Sequence, residues 1–157
     1  MVKMKEWKLW RFEGGDRWND WQPFSAKTIK GIVDQAGAYV LGLPAKRTPL
    51  GRLLGRDVHG ILDVGEATHL RKRLDTLHKC ASAKGATGHM AGWRLGSMAL
   101  LGELGVKVDS LRISVCYSTS KEEAYRVEGA ILRNYFRLFG ELPPLNYKFN
   151  WSSWEET

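Results

Sequence analysis

Apolar residues fall into three short runs along the chain that predict β-strands. These runs cover residues 38–43, 59–65 and 111–117. The first two are short and bounded by glycine, and the third alternates apolar with polar residues, as expected of a strand with one covered face. The pattern therefore predicts a small sheet with an antiparallel pair formed by the first two strands.

Three further stretches carry apolar residues at helical spacing, and they predict helices over residues 68–81, 89–104 and 120–140. In the first helix, Thr68 is the expected N-cap, and Leu70 and Leu74 recur on one face. The third helix has the clearest ends, because Ser120 and Glu123 form a capping box and Gly140 is a stop signal. The end signals thus predict one long C-terminal helix.

The order of these elements, ββααβα, predicts an α+β fold with a small three-stranded, mainly antiparallel sheet flanked by helices. Residues 44–57 hold two prolines, two glycines and four basic residues, and they predict an exposed loop. The predicted organisation is an aromatic and basic N-terminal extension packed on a core domain, followed by a C-terminal tail, with ranges 1–36, 37–147 and 148–157.

The N-terminal extension is rich in tryptophan, at positions Trp7, Trp10, Trp18 and Trp21. Two interpretations are open. The indoles either cover an exposed part of the core, where each can bury on the order of 200 Å², or form a platform on which unpaired bases stack.

Composition places the chain among intracellular proteins. With 157 residues it fits one domain, and no apolar stretch approaches the roughly 20 residues that cross a bilayer. The N-terminus lacks the apolar region of a secretory signal, so we expect a cytoplasmic protein without a membrane partner. His78, Cys80 and His89 match no tetrahedral zinc template, and the two cysteines are expected to be free thiols.

Charge points to a polyanionic partner. Lys and Arg number 24 against 17 Asp and Glu, which gives a net charge of +7. The positive residues cluster, and such clusters favour nucleic acid through counterion release. The predicted nucleic-acid contacts are Lys46, Arg47, Arg52, Arg56, Arg71 and Lys72.

Phosphodiester hydrolysis needs an activated water and cations that hold the phosphate, and three residues could supply these functions. Tyr39 on the first strand could orient or deprotonate water, unless it is an ordinary packed tyrosine. Arg73 could form two hydrogen bonds to a phosphate with its planar guanidinium group, unless it is simply solvated. Glu128 could hold a magnesium-like ion; the alternatives are an ion pair with Arg126 or Arg133, or simple exposure.

Together these residues resemble the GIY-YIG nuclease family, named for its two tripeptides. The residues that carry the resemblance are Gly37-Ala38-Tyr39, Asp63-Val64-Gly65, Arg73, Glu128 and Pro143-Pro144-Leu145-Asn146. The resemblance covers residues 37–147 and implies a metal-dependent DNA endonuclease of restriction, mobile-element or repair type, with one Mg²⁺ or Mn²⁺ ion. It implies catalytic roles for Tyr39, Arg73 and Glu128, the last as metal ligand. Asn146 is expected to support the site by bonding nearby backbone.

Two positions depart from the family pattern. Asp63 stands where the second tripeptide has tyrosine, and it could be a base or a second metal ligand; or its charge could repel the phosphate and leave a binding module without cleavage. Leu77 fills a place where the family often has histidine or tyrosine, and His78 follows it. His78 could serve as base or acid if the helix end turns it inward. A third possibility is a structural or partner-binding protein whose aromatic termini form the interface.

Overall fold

A computed structural model describes residues 17–82, 90–97, 100–103, 105–148 and 150 of the chain. The strands are β1 (Gln22–Pro23), β2 (Gly37–Gly42), β3 (Leu50–Arg52), β4 (Gly55–Asp57), β5 (Ile61–Ala67) and β6 (Arg112–Tyr117). The helices are α1 (Ala26–Lys30), α2 (Leu70–Ala81), α3 (Met90–Ser97), α4 (Leu100–Glu103) and α5 (Lys121–Phe139). Short 3-10 turns occupy Ala45–Arg47 and Val108–Ser110.

The main sheet has the strand order β1-β6-β2-β5, and its strands pair antiparallel. The predicted α+β class with a mainly antiparallel sheet is therefore confirmed. The predicted sheet lacks β1, a strand of two residues that is too short to show a period of its own. β5 lies at an edge of the sheet, so one side of its backbone faces away from β2.

Each face of the sheet carries its own apolar core. On one face Leu41 and Leu62 pack with Leu74 of α2. On the other face Val40 and Val64 pack with residues of α5 such as Ile131. The alternation of strand side chains thus places α2 and α5 on opposite faces, with β5 between them at the edge.

Within the predicted loop over residues 44–57, residues 50–57 form a β-hairpin instead. β3 and β4 pair antiparallel around a turn that reaches Gly55, whose φ is 105°. The hairpin is tied down by Asp57, which accepts hydrogen bonds from the Tyr135 hydroxyl at 2.9 Å and from Ile61 N at 2.8 Å. The loop prediction was wrong because its proline and glycine signals did not reveal these long-range bonds.

The helix predictions differ from the structure mainly at the ends. α2 begins at Leu70 with His69, not Thr68, as N-cap. Within the described residues, the helix predicted over 89–104 is represented by α3 and α4. α5 has the predicted ends, because Ser120 Oγ accepts from Glu123 N and Gly140 closes the helix with φ 73°. Capping chemistry therefore located both ends of α5.

Trp18 and Trp21 pack against the core, as the first interpretation of the tryptophans predicts. Trp18 is buried, and the guanidinium of Arg112 lies 4.7 Å from the centre of the Trp21 ring. Trp7, Trp10, His89 and the tail after residue 150 lie outside the described residues. Among the helices that are described, none combines the length and apolar character needed to span a bilayer.

Candidate active site at the edge strand

The two tripeptides lie on the neighbouring strands β2 and β5, and the side chain of Tyr39 in the first tripeptide packs over Gly65 in the second. Tyr39 of β2 is directly opposite Gly65 of β5. A Cβ added to Gly65 would overlap Cζ and Oη of Tyr39, so the phenol ring lies across the strand where Gly65 has no side chain. The Tyr39 hydroxyl donates a hydrogen bond of 2.8 Å to Oδ2 of Asp63. Glycine at position 65 is therefore needed for the Tyr39 ring to reach Asp63.

This packing predicts the effect of a single methyl group. Gly65→Ala should lower the free energy of unfolding by about 1–3 kcal/mol, because the added Cβ must displace the enclosed Tyr39 ring. Urea denaturation measures the change. Gly51→Ala is the matched control, since a Cβ there meets nothing within 4 Å, and it should stay within about 0.5 kcal/mol of wild type. An equal loss of unfolding free energy in Gly65→Ala and Gly51→Ala would contradict the overlap. So would a Gly65→Ala loss that is just as large when Tyr39 has already been replaced by alanine.

Burial controls the ionisation of the Tyr39–Asp63 pair. Tyr39 is 1% exposed and Asp63 is 4% exposed. Burial, followed by the charge of Asp63, raises the pKa of Tyr39 well above its ordinary value of 10. Burial also raises the pKa of Asp63 to about 6, against the opposing effects of the Tyr39 hydrogen bond and the charges of Arg73 and Arg94. At neutral pH the phenol is therefore protonated and the carboxyl group is largely ionised.

Arg73 is the accessible cation beside this pair. It lies in the first turns of α2 and is exposed. Its charge lowers the pKa of Tyr39, Asp63 and Glu66, so it acts on acidic groups from two strands. An exposed guanidinium beside these acidic groups can contact a ligand from solvent.

Glu128 approaches from α5, on the opposite face of the sheet. Burial, and then the charges of Glu66 and Asp63, raise the pKa of Glu128 to about 8. Nδ2 of Asn150 lies 3.4 Å from Oε1 of Glu128 and also donates to the carbonyl oxygen of Tyr125 at 2.8 Å. The carboxyl groups of Asp63 and Glu66 thus lie close enough to Glu128 to oppose its ionisation.

Glu66 is the member of this group that the sequence interpretation missed. Burial raises its pKa, and among the described residues its buried Oε2 atom has no hydrogen-bond partner. Sequence offered one signal: Glu66 is in phase with Val64, which faces α5, so a period of two places its carboxylate toward Glu128. Tyr39, Asp63, Glu66, Arg73 and Glu128 form what we call the edge cluster, in which each residue shifts the pKa of another.

Asn146 fastens the chain after α5 to the open side of β5. Its Oδ1 accepts from Val64 N at 2.9 Å, and its Nδ2 donates to Val64 O at 2.8 Å. Leu145 N adds a bond of 2.8 Å to Leu62 O. The predicted bonding of Asn146 to backbone beside the site is confirmed, and it satisfies edge groups of β5 that would otherwise need water.

His78 has its contacts elsewhere. Its Nε2 lies 2.8 Å from Oδ1 of Asp109, and its ring packs against the ring of Phe24 in a T-shaped arrangement with the two ring centres 5.2 Å apart. The helix end does turn His78 inward, since its side chain is 7% exposed, but into contact with Phe24. Neither of these contacts joins His78 to Tyr39 or Asp63, and its role as base or acid stays a prediction.

The predicted nucleic-acid contacts divide into two groups. Most are exposed: Lys46, Arg47, Arg56, Arg71 and Lys72. Arg52 is different, because its Nη2 donates to Leu142 O and its Nε lies 3.2 Å from Oε1 of Glu141. Arg52 therefore fastens the hairpin to the chain after α5, and its contact with nucleic acid remains a prediction, as do the others.

No family model matches the chain, and no curated protein or solved structure matches it. The interpretation of the edge cluster therefore depends on its own contacts and charges.

Proposed function

We propose that this chain is a metal-dependent DNA endonuclease of the GIY-YIG type, of the restriction, mobile-element or repair kind, and that it acts in the cytoplasm. The observation that carries the proposal is the edge cluster. A phenol, a guanidinium and carboxylates from four separate elements lie close enough to shift one another's pKa. Those are the groups that phosphodiester hydrolysis requires.

Each residue has a role that follows from its exposure and charge. Arg73 would hold the scissile phosphate, because it is exposed and its planar guanidinium can form two parallel hydrogen bonds with phosphate oxygens. Tyr39 would position the attacking water, because its phenol is fixed in orientation by Asp63. Asn146 would act indirectly, by holding β5 in place.

A divalent cation fits the donor set of Glu128 and Glu66. Within the described ranges no three His, Cys, Asp or Glu side chains are arranged to hold an ion, so phosphate and water would complete the shell, as is usual for magnesium. The orphaned Oε2 of Glu66 and the raised pKa of Glu128 both favour a positive charge here. When bound, Mg²⁺ or Mn²⁺ would neutralise charge on the phosphate and the leaving oxygen.

One observation favours a second candidate, a GIY-YIG-like module that binds nucleic acid without cutting it. Tyr39 and Asp63 are almost fully buried and bonded to each other. Such a pair could serve only to hold β2 against β5. The exposed basic residues would still attract DNA in that case.

DNA cleavage distinguishes the two candidates. The wild-type chain is incubated with supercoiled plasmid and with end-labelled single-stranded and duplex DNA, in Mg²⁺ or Mn²⁺ and with EDTA, and the product ends are mapped. We expect metal-dependent nicking at discrete phosphodiester bonds. DNA binding without cutting in either ion would support the module, and absence of binding would support the protein-interaction alternative.

A further inference from the structure

We infer that Asp63 acts through Tyr39, as a positioning residue that directs the phenol O–H and accepts its proton when Tyr39 takes one from the attacking water. The inference rests on the proposed endonuclease function and concerns how that function is achieved with aspartate in place of the second tyrosine. The juxtaposition that carries it is the buried hydrogen bond of 2.8 Å from Tyr39 Oη to Asp63 Oδ2.

The register of β2 and β5 places the Tyr39 hydroxyl next to the Asp63 carboxylate. Tyr39 is opposite Gly65, and Asp63 is two residues earlier on β5, so both side chains lie on the same face. Because Tyr39 donates its hydroxyl hydrogen to Asp63, the phenol oxygen would act as the acceptor toward an attacking water. Such a water would donate to Tyr39 and turn one of its lone pairs toward the phosphate.

The surrounding charges favour a relay over an ionised tyrosine. The pKa of Tyr39 is far too high for a phenolate at neutral pH, whereas the Asp63 carboxylate is ionised and more basic than an ordinary aspartate. Arg73 of α2 and Arg94 of α3 face Asp63 and lower its pKa. Glu128 of α5 acts on Tyr39 and raises its pKa further. The basic member of the pair is therefore the carboxylate.

Two proton transfers accompany the attack of water on phosphorus. One O–H bond of water breaks as its oxygen bonds to phosphorus, and that proton passes to Oη of Tyr39. The original phenol proton passes to Oδ2 of Asp63, which becomes a neutral acid. The phosphorus–oxygen bond to the leaving group breaks, and that oxygen takes a proton from solvent. Asp63 then returns its proton to solvent by the same route, and the pair is restored.

The test compares Asp63→Asn with Asp63→Glu in cleavage assays from pH 5 to 8. Wild-type kcat should fall tenfold per pH unit below about pH 6, since Asp63 must be ionised. Asp63→Asn should lower kcat by about 100-fold, leave KM within twofold and remove this acid limb, because an amide accepts no proton. Asp63→Glu keeps a carboxylate and should retain the limb. An acid limb with the same midpoint in Asp63→Asn, or its loss in a folded Asp63→Glu, would overturn the relay.

A second measurement needs no cleavage. In protein labelled with ¹³C at tyrosine Cζ, the Tyr39 signal is identified by its absence from Tyr39→Phe. It should shift with a midpoint near pH 6 in wild type and stay constant in Asp63→Asn. A Tyr39 signal that is constant in wild type would refute the bond in solution. If the wild-type protein cuts DNA and Asp63→Asn has the same pH–rate profile as wild type, the relay alone is refuted. If the wild-type protein cuts no DNA, the endonuclease proposal is refuted as well.

Discussion

Glu128→Gln is expected to abolish DNA cleavage and, in the same protein, to stabilise the metal-free fold. The carboxylate is partly buried on α5, close to two other acidic residues, and its pKa is raised to about 8. Glutamine has the same shape without the charge. Cleavage should fall by at least about 10³-fold, because the amide is a poor ligand for a hard cation. Without the cation, the negative charge that develops on the phosphate in the transition state is not neutralised.

The sign of the stability change follows from proton linkage. The folded carboxyl group holds its proton up to about pH 8, whereas the unfolded group loses it near pH 4.5. Ionisation therefore favours the unfolded chain, with no effect below about pH 4.5 and an increasing destabilisation as the pH rises toward 8. In EDTA at pH 8, Glu128→Gln should be more stable by about 4 kcal/mol, and at pH 4.5 the two proteins should be nearly equal. Urea denaturation at both pH values measures the difference.

Glu122→Gln is the matched control, since Glu122 lies on the same helix and is exposed. It should cut DNA like wild type and change the free energy of unfolding by no more than about 0.5 kcal/mol. A Glu128→Gln protein that cuts at the wild-type rate would exclude Glu128 as a metal ligand. One that is less stable than wild type at pH 8 would show that the carboxylate has a favourable partner in the fold.

Much of the fold could be predicted from the sequence, because its elements have local causes. Alternation along residues 112–117 and helical spacing from Leu70 to Ala81 depend only on which face of each element is covered. The ends of α5 depend on Ser120 and Gly140, whose capping chemistry is also local. These signals located the strands and helices without knowledge of their partners.

The hairpin could not be predicted, because its stability depends on residues far along the chain. Leu53 N donates to Oε1 of Glu141, 88 positions later, and Leu54 N donates to Phe139 O. Before those partners are known, residues 44–57 show only proline, glycine and charge. The signals of a loop and of a hairpin docked on a helix end are then the same.

Four of the five members of the edge cluster could be predicted from the sequence, but Glu66 and the bonds between the members could not. Tyr39, Arg73 and Glu128 were selected by residue type and spacing, which do not say where a side chain points. The pairing of Tyr39 with Asp63 follows only from the register of β2 and β5. The contribution of Glu66 required both that register and the position of α5. Site chemistry is therefore harder to predict than secondary structure, since it depends on contacts between separate elements.

Arg73→Ala is expected to lower kcat by 10²- to 10³-fold, which is about the effect of removing one preorganised donor from a transition state. Arg73→Lys keeps the positive charge but loses the planar fork, and it should recover only part of the rate. The alanine variant should also move the acid limb of the rate profile upward, because the Arg73 charge holds the pKa of Asp63 down. Single-turnover cleavage from pH 5 to 8 measures both effects.

Arg71 and Lys72 make this prediction specific, because both are exposed neighbours of Arg73 on the same helix. If they contact DNA only through its charge, Arg71→Ala and Lys72→Ala should weaken binding, reduce its salt dependence and leave single-turnover kcat within about threefold. Equal losses of kcat in all three variants would mean that α2 acts as a general electrostatic surface. A loss confined to Arg73, together with the shifted acid limb, would place its guanidinium at the scissile phosphate and within electrostatic reach of Asp63, as the edge cluster requires.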